Sequence, residues 1–332
     1  MSVATLPFPP PDPTASASTP RVALRRALVW RAKLAAKVAM AYLPVSRERW
    51  RRLGAFKLGY MTDPAYALAT FEKNVSRAHH APAERGDGTR PVFDPGAPDG
   101  SAPPDVRGLR LLELGPGEVL SSAVVARAAG AAAMTLIDAG DFTLPTVDRY
   151  REIARLGSAR FGGPVDLDGV TDVPGVLARC GAQLLTDGLA SLRSLPTATV
   201  DVVWSHTMLE HVRADELPDL LRELRRVLAP GGVASHQVDL QDHLDYSLNN
   251  LRFSERAWES PVIARSECYT NRVGYAELLT MFDAAGFAVE VVRVDRWRAV
   301  PTPRRHLAPR FRTRTDDDLR VRVFDVLLRP AS

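Results

Sequence analysis

The sequence predicts an α/β fold whose main domain is a doubly wound, largely parallel sheet. From about residue 105 onward, short apolar runs that suit buried parallel strands alternate with segments of helical periodicity. In the clearest helical segment, leucines and valines from Leu217 to Leu228 recur on one helix face, and the turn Pro230-Gly231-Gly232 ends it. Strands and helices that alternate in this way form right-handed βαβ units, which build such a sheet.

Seven apolar runs are interpreted as strands. In chain order they are 109–114, 134–137, 182–185, 200–204, 233–238, 288–294 and 320–328. Two further helices are predicted at 119–129 and at 274–285, the second closed by Gly286. A loop rich in Gly, Pro and Asp at 86–104 is predicted to link this domain, residues 105–330, to the N-terminal region.

The N-terminal region divides into two predicted parts. Residues 1–20 are rich in Pro, Ser, Ala and Thr and carry one charge, so a disordered tail is predicted. Residues 21–85 are predicted to be a basic helical extension with a helix over 21–43. Within it, residues 21–60 hold eleven cations and a single acid, Glu48. Two interpretations stay open: peripheral contact of 21–60 with an anionic membrane surface, or an arm packed on the body or covering its active site.

Charge and composition exclude several classes of protein. The chain of 332 residues has a net charge of +4, and since residues 21–60 alone carry +10, the remainder carries −6. A negative body disfavours a nucleic-acid enzyme, which needs cations against phosphates. Two cysteines, Cys180 and Cys268, exclude a disulfide scaffold and indicate a cytoplasmic protein. No apolar run is long enough to span a membrane, and the N-terminus lacks a secretory-signal pattern.

Candidate ligand-binding residues follow the predicted strands, where open α/β sheets bind their ligands. After the first strand, Gly115 and Gly117 allow a tight turn and a close approach by a ligand to the next helix. Asp138 ends the second strand 21 residues beyond Gly117, where an acid can accept hydrogen bonds from ribose hydroxyls. Asp187 follows the third strand, where an acid could accept a hydrogen bond from an adenine amino group.

Taken together, five motifs resemble the class I S-adenosylmethionine-dependent methyltransferases, in the branch called methyltransferase type 11. They are ELGPG at 113–117, Asp138, Asp187, DVVWSHTMLEHV at 201–212 and LAPGGV at 228–233. The resemblance extends over about residues 105–295 and implies a Rossmann-like, seven-stranded sheet whose last strand is antiparallel. It also implies S-adenosylmethionine as cofactor and methyl transfer by direct displacement to a hydroxyl or amine of a small molecule or glycan.

The resemblance assigns roles to single residues. Glu113, Gly115 and Gly117 would shape the pocket for the methionine part, Asp138 would hold the ribose, Asp187 the adenine amino group, and Ser205 with His206 would lie beside the sulfonium. Two features depart from the family: Val119 replaces the third glycine of the turn, and the interval between Asp138 and the third strand is unusually long. That insert, residues 140–179, is either a substrate lid or a structural excursion.

Methyl transfer needs a positioned acceptor and a base for any proton that the acceptor loses. The predicted catalytic residues are His206, His243 and Asp239, which follow the fourth and fifth strands. Residues 248–253 and 269–272 would line an acceptor pocket or cap the next helix. A metal site of His236, Asp239, Asp242 and His243 is disfavoured because strand alternation places His236 and Asp239 on opposite faces.

Two other functions remain open. A nicotinamide-dependent oxidoreductase would share the glycine turn and Asp138, but Leu120 takes the place of its last glycine and no Tyr-x-x-x-Lys pair is present. The second is a noncatalytic binding module whose basic arm docks on a membrane.

Overall fold

The computed structural model describes residues 20–43, 62–78, 103–266 and 268–331. Nearly all of the predicted tail at 1–20 and of the predicted linker at 86–104 lies outside the described residues. The basic residues between 44 and 60 lie outside them as well.

Seven strands of the described chain form one sheet. They are β1 (Arg110–Leu114), β2 (Ala133–Ile137), β3 (Ala182–Leu185), β4 (Val200–His206), β5 (Leu228–Asp239), β6 (Phe287–Arg296) and β7 (Val321–Pro330). Their spatial order is β3-β2-β1-β4-β5-β7-β6. The neighbouring strands β3, β2, β1, β4 and β5 pair in parallel, whereas β7 pairs antiparallel with both β5 and β6. The predicted seven-stranded α/β sheet with an antiparallel last strand is therefore confirmed.

The helices of the described segments precede, connect and follow these strands. They are α1 (Pro20–Tyr42), α2 (Pro64–Ala78), α3 (Ser121–Ala128), α4 (Asp148–Phe161), α5 (Val173–Cys180), α6 (Leu189–Ser194), α7 (Leu217–Val227), α8 (Glu255–Trp258), α9 (Pro261–Ala264), α10 (Tyr275–Ala284) and α11 (Asp316–Leu319). Short 3-10 turns lie at Leu209–His211, Asn249–Arg252, Arg304–His306 and Pro309–Phe311.

Helices cover both faces of the sheet. On one face α2, α3, α4 and α5 enclose a core that includes Phe71, Leu111 and Trp204. On the other face α6, α7 and α10 enclose a core that includes Leu112 and Phe282. Leu111 and Leu112 are neighbours on β1 and enter different cores, because successive side chains of a strand point to opposite faces.

The long insert between β2 and β3 belongs to the first of these cores. It contains α4 and α5, whose side chains Tyr150, Ile153 and Val176 are fully buried there. The hydroxyl of Tyr150 accepts a hydrogen bond from the backbone N–H of Leu120 at 3.1 Å. The helices of the insert thus form a packed layer beside α3. This packing favours the interpretation of the insert as a structural excursion over its interpretation as a substrate lid.

Helix α1 packs on the segment that follows β5. Its Trp30 side chain is buried against Leu244 and Cys268, and the Lys33 ammonium donates a hydrogen bond to the carbonyl oxygen of Leu244 at 3.1 Å. The predicted basic helix is therefore an arm that contacts the body. Among the described residues, no helix combines the length and apolar character that crossing a bilayer requires.

Candidate active site

The glycine turn after β1 lies at the edge of the sheet where the parallel strands end. Gly115 and Gly117 have φ angles of 71° and 74°, in the left-handed region that glycine adopts without strain. A Cβ atom on Gly115 would lie 2.5 Å from Cγ of Met208, whereas one on Gly117 would meet no atom within 4 Å. Gly115 is therefore required by packing, and Gly117 leaves its side of the turn open to a ligand.

Asp138 is tied directly to this turn. Its Oδ2 accepts a hydrogen bond from the backbone N–H of Gly117 at 3.3 Å, and its Oδ1 accepts one from the N–H of Ala139 at 2.8 Å. The carbonyl oxygen of Asp138 accepts a hydrogen bond from Gly188 at 2.9 Å, next to the exposed Asp187. The ends of β1, β2 and β3 thus bring the glycine turn, Asp138 and Asp187 to one edge.

Glu113 lies within β1, two residues before the turn. Its side chain is only 2% exposed, and burial raises its pKa to about 7 although a hydrogen bond with Ser122 opposes the shift. Its Oε2 has no hydrogen-bond partner among the described residues. A buried carboxyl oxygen beneath an open glycine turn is suited to a ligand that carries a positive charge or a hydrogen-bond donor.

His206 ends β4, next to the glycine turn. Leu114 of β1 pairs with Ser205 of β4, so the residues that follow, Gly115 and His206, are neighbours across the two strands. Nε2 of His206 lies 2.7 Å from the hydroxyl oxygen of Tyr66, and Nδ1 lies 3.4 Å from the ammonium nitrogen of Lys73. Burial, reinforced by the charge of Lys73, holds the pKa of His206 well below its ordinary value. The imidazole is therefore neutral at physiological pH.

Tyr66 and Lys73 come from α2, a helix that the sequence pattern did not separate from the basic extension. Lys73 is 5% exposed, and burial lowers its pKa to about 8 although the carboxylate of Asp325 opposes the shift. One turn further along α2, Arg77 forms a buried 2.9 Å ion pair with Asp325 of β7. This ion pair fixes α2 on the sheet and so positions the side chains that contact His206.

Ser205 does not share this environment. Its hydroxyl oxygen lies 2.7 Å from Nδ1 of His236, and both side chains are completely buried. Because neighbouring residues of a strand alternate, Ser205 points to the face opposite His206. The role of Ser205 beside the sulfonium stays a prediction, in which its backbone rather than its hydroxyl would lie at the edge of the sheet.

Asp239 and His243 form a second group beyond β5. The backbone N–H of Asp239 donates to Oε1 of Glu210 at 3.3 Å, and burial raises the pKa of the Asp239 carboxyl to about 6. The ring of His243 stacks on His211 at 4.9 Å between centroids, and burial lowers its pKa to about 3. No contact in the described part of the chain joins either residue to His206, so the three predicted catalytic residues separate into two groups.

A small cavity lies beside Glu210 and Asp239. Its other lining residues include Asn250, Thr270 and Arg272, from the two segments for which an acceptor pocket was predicted. Glu210 is 2% exposed, and its Oε2 has no hydrogen-bond partner among the described residues. Burial, with a contribution from the charge of Asp239, holds the pKa of Glu210 well above its usual range. This cavity can receive a small polar group that forms a hydrogen bond with Oε2 of Glu210.

The four residues considered for a metal site lie in different environments. His236 bonds to Ser205, His243 stacks on His211, and the Asp242 carboxylate accepts hydrogen bonds from the backbone N–H groups of Leu244, Asp245 and Asn249. Within residues 20–43, 62–78, 103–266 and 268–331, no cluster of three or more His, Cys, Asp or Glu side chains could hold a metal ion.

The sequence matches a known family model. Residues 167–235, from the segment before α5 into β5, match the methyltransferase type 11 model, described as a methyltransferase domain. This match confirms the family resemblance predicted from the sequence. No curated protein is significantly similar to the chain.

Several solved structures are similar to the chain. An S-adenosylmethionine-dependent methyltransferase from Mesorhizobium loti is 19% identical, with a TM-score of 0.36 over 68% of this chain and 93% of that one. A Methanosarcina mazei protein of the same description is 16% identical, with a TM-score of 0.40 over 68% and 94%. An arsenic(III) S-adenosylmethionine methyltransferase from Chlamydomonas reinhardtii is 16% identical, with a TM-score of 0.37 over 81% and 73%. Identities and scores this low carry no inference about the substrate of this chain.

Proposed function

We propose that this chain, whose residues 167–235 match the methyltransferase type 11 model, transfers a methyl group from S-adenosylmethionine to a hydroxyl or amine of a small molecule or glycan. One observation carries the proposal. The open glycine turn with its bound Asp138 carboxylate lies directly beside His206, which is neutral at physiological pH and held by two side chains. The proposed site of the methyl donor therefore adjoins a side chain that can accept a proton.

The described residues fit the proposed cofactor. The approach over Gly117 is open, Asp138 and Asp187 can accept hydrogen bonds from a ribose and an adenine amino group, and the buried Glu113 can accept one from an ammonium group. The cofactor supplies a methyl group that the positive sulfur already activates. The chain then has to hold the acceptor in line with that methyl group and exclude water.

Tyr66, His206 and Lys73 provide a path for the proton that the acceptor loses. With the imidazole hydrogen on Nδ1, the Tyr66 hydroxyl donates to Nε2 and the Nδ1–H donates to a neutral Lys73 amine. An acceptor proton then passes to the Tyr66 oxygen, the Tyr66 proton to Nε2 of His206, and the Nδ1 proton to Lys73. Lys73 ends as an ammonium, and its pKa of about 8 lies close to the value that suits a general base near neutral pH.

The cavity beside Glu210 and Asp239 supports an acceptor that carries hydroxyl or amine groups. Its carboxyl oxygens, together with the side chains of Asn250 and Thr270, are polar partners for such groups. In this proposal Asp239 contacts polar groups of the acceptor away from the methylated atom, and His206 takes part in proton transfer.

Isothermal titration of the chain with S-adenosylmethionine, S-adenosylhomocysteine, NAD and NADP tests the cofactor. The two sulfur compounds are expected to bind and the two nicotinamide compounds are not. Binding of a nicotinamide cofactor alone would overturn the proposal. A metabolite screen with methyl-labelled cofactor then identifies the acceptor.

A further inference from the structure

The large apolar side chains that remain exposed are concentrated in one place. Within the described residues they are Leu28, Val29, Tyr42 and Leu43 of α1 and its end, together with Tyr246 and Val262. Exposed apolar groups scattered singly over a protein surface are ordinary, whereas a contiguous set marks an interaction surface. We call these six residues the α1 face.

Two contacts between α1 and the body place Tyr246 and Val262 near the helix. The Lys33 ammonium donates to the carbonyl oxygen of Leu244, two residues before Tyr246. The hydroxyl of Tyr42 donates to the carbonyl oxygen of Pro261 at 2.9 Å, next to Val262. Both exposed body residues therefore lie alongside the helix that carries the other four.

The helix presents different sides to the body and to solvent. Trp30 is 5% exposed, and its ring meets that of Phe253 edge to face at 6.2 Å between centroids, which holds one side of α1 inward. On the other side an exposed stripe begins at Leu28 and continues every three or four residues through Ala32, Ala35 and Ala39 to Tyr42 and Leu43. That spacing is the repeat of a single helix face, so α1 exposes an uncharged stripe over residues 28–43.

Cations border this stripe. Arg31 is exposed and its guanidinium lies over the Trp30 ring, as does that of Arg252 from the body, whereas Lys33 is bonded to the body. The sequence of α1 contains no acidic residue. An apolar stripe bordered by Lys and Arg is the composition of helices that lie in the interface of a membrane, where anionic lipid attracts the cations and the apolar side chains enter the headgroup boundary. A nucleic acid would use the cations but leave the apolar stripe exposed to water.

We propose that the α1 face docks the protein on a lipid bilayer that contains anionic headgroups. The helix lies parallel to the surface, Leu28, Val29, Tyr42 and Leu43 enter the boundary between headgroups and acyl chains, and the guanidinium groups of Arg31 and Arg252 contact the headgroups. Trp30 and its partners keep the helix attached to the body, so docking requires no release of α1. This inference does not depend on the reaction that the sheet domain catalyses.

Vesicle flotation of the full chain tests the proposal. The chain is mixed with vesicles of phosphatidylcholine alone or of phosphatidylcholine with phosphatidylglycerol, at low and at physiological salt. The wild-type chain is expected to bind the anionic vesicles, more weakly at the higher salt, and to bind the neutral vesicles at least about tenfold more weakly. Equal partitioning to both kinds of vesicle, or none to either, would overturn the proposal.

Matched variants separate the effect of the apolar stripe on vesicle binding from the effect of net charge. L28D/L43D places two carboxylates in the stripe and is expected to lower binding to anionic vesicles by about tenfold or more. A190D/A276D adds the same charge at exposed positions outside the α1 face and is expected to retain most of the wild-type binding. Equal losses in the two double variants would contradict docking through the stripe.

Two further measurements cover folding and self-association. V262D changes the α1 face without touching α1, so its loss of vesicle binding supports the proposal even if L28D/L43D proves poorly folded by circular dichroism; retained binding counts against it. Sedimentation velocity without lipid tests whether a second copy of the chain, rather than a membrane, covers the α1 face. A wild-type dimer that becomes a monomer in V262D would show that the face joins two copies of the chain, and would overturn the proposal.

Discussion

The hydroxyl oxygen of Tyr66 lies 2.7 Å from Nε2 of His206, a contact that joins the N-terminal helix α2 to the last residue of β4. The buried ion pair of Arg77 and Asp325 holds the same helix against β7. Helix α2 is thus a component of the candidate active site, although it precedes the sheet domain in the chain.

Replacement of Tyr66 by phenylalanine tests the proposed proton path. Y66F removes the hydroxyl but keeps the ring, so we expect kcat to fall by about 10²-fold or more, the low end of what acid–base groups contribute. The Kd of S-adenosylmethionine, measured by titration calorimetry, should change little. Y275F is the matched control, because the Tyr275 ring packs on Phe324, away from His206. A Y66F enzyme with wild-type kcat would exclude Tyr66 from the path.

The rate of the wild-type enzyme should rise with pH in proportion to the neutral form of Lys73. Its pKa of about 8 places the midpoint of that rise near pH 8 if chemistry limits kcat. In K73M the final proton acceptor is gone, so both the rate and the rise are expected to be lost. Single-turnover rates across the pH range make the comparison. If K73M kept a pH-dependent rise in rate with the same midpoint, another group would be responsible for that rise.

The same variant should be more stable than the wild type. In the folded protein the pKa of Lys73 is lowered from 10.5 to about 8 by burial, so the folded state binds this proton less tightly than the unfolded state. Near pH 7 the ammonium is charged in both states, and burying it costs up to about 3 kcal/mol. As the pH rises from 8 towards 10.5 this cost disappears.

Urea unfolding of the two proteins measures that difference. K73M should gain about 1–3 kcal/mol in the free energy of unfolding near pH 7, and clearly less at about pH 10. A variant less stable than the wild type near pH 7 would mean that contacts of the Lys73 ammonium outweigh the cost of its burial.

The sequence predicted the sheet well because its signals are local. All seven strands begin and end within a few residues of the predicted runs, except that β5 begins five residues early, at Leu228. The contact between Gly117 and Asp138 joins the ends of neighbouring parallel strands, so a glycine turn and an acid at the right interval were enough to anticipate it. The fold and the edge that carries the proposed cofactor site followed from these patterns.

Side-chain partners were harder to predict because they depend on distant parts of the chain. Tyr66 and Lys73 reach His206 across more than 130 residues of sequence, and α2 was hidden within a segment dominated by its basic charge. Alternation along β4 indicates that Ser205 and His206 face opposite sides, but which side adjoins the site depends on where α2 packs. Only the assembled structure separates these two residues.

Gly117 and Gly108 form a matched pair for testing the open glycine turn. Their φ angles are 74° and 75°, and a Cβ on either would meet no atom within 4 Å. Alanine at each position should therefore cost similar stability, about 1–2 kcal/mol. Only G117A places a methyl group where the cofactor is proposed to approach, so we expect its Kd for S-adenosylmethionine to rise by about tenfold or more while that of G108A stays near wild type. Equal affinities in the two variants would place the cofactor elsewhere.

Titration calorimetry of the Asp138→Ala variant with S-adenosylmethionine tests the central claim most directly. The lost hydrogen bonds to a charged group should weaken binding by about 1–3 kcal/mol, which is about 5- to 150-fold in Kd. Asp168→Ala, a change at an exposed position, serves as the control, and thermal unfolding of both variants verifies the fold. The account predicts weaker binding in D138A alone. Wild-type affinity in a folded D138A protein would contradict it.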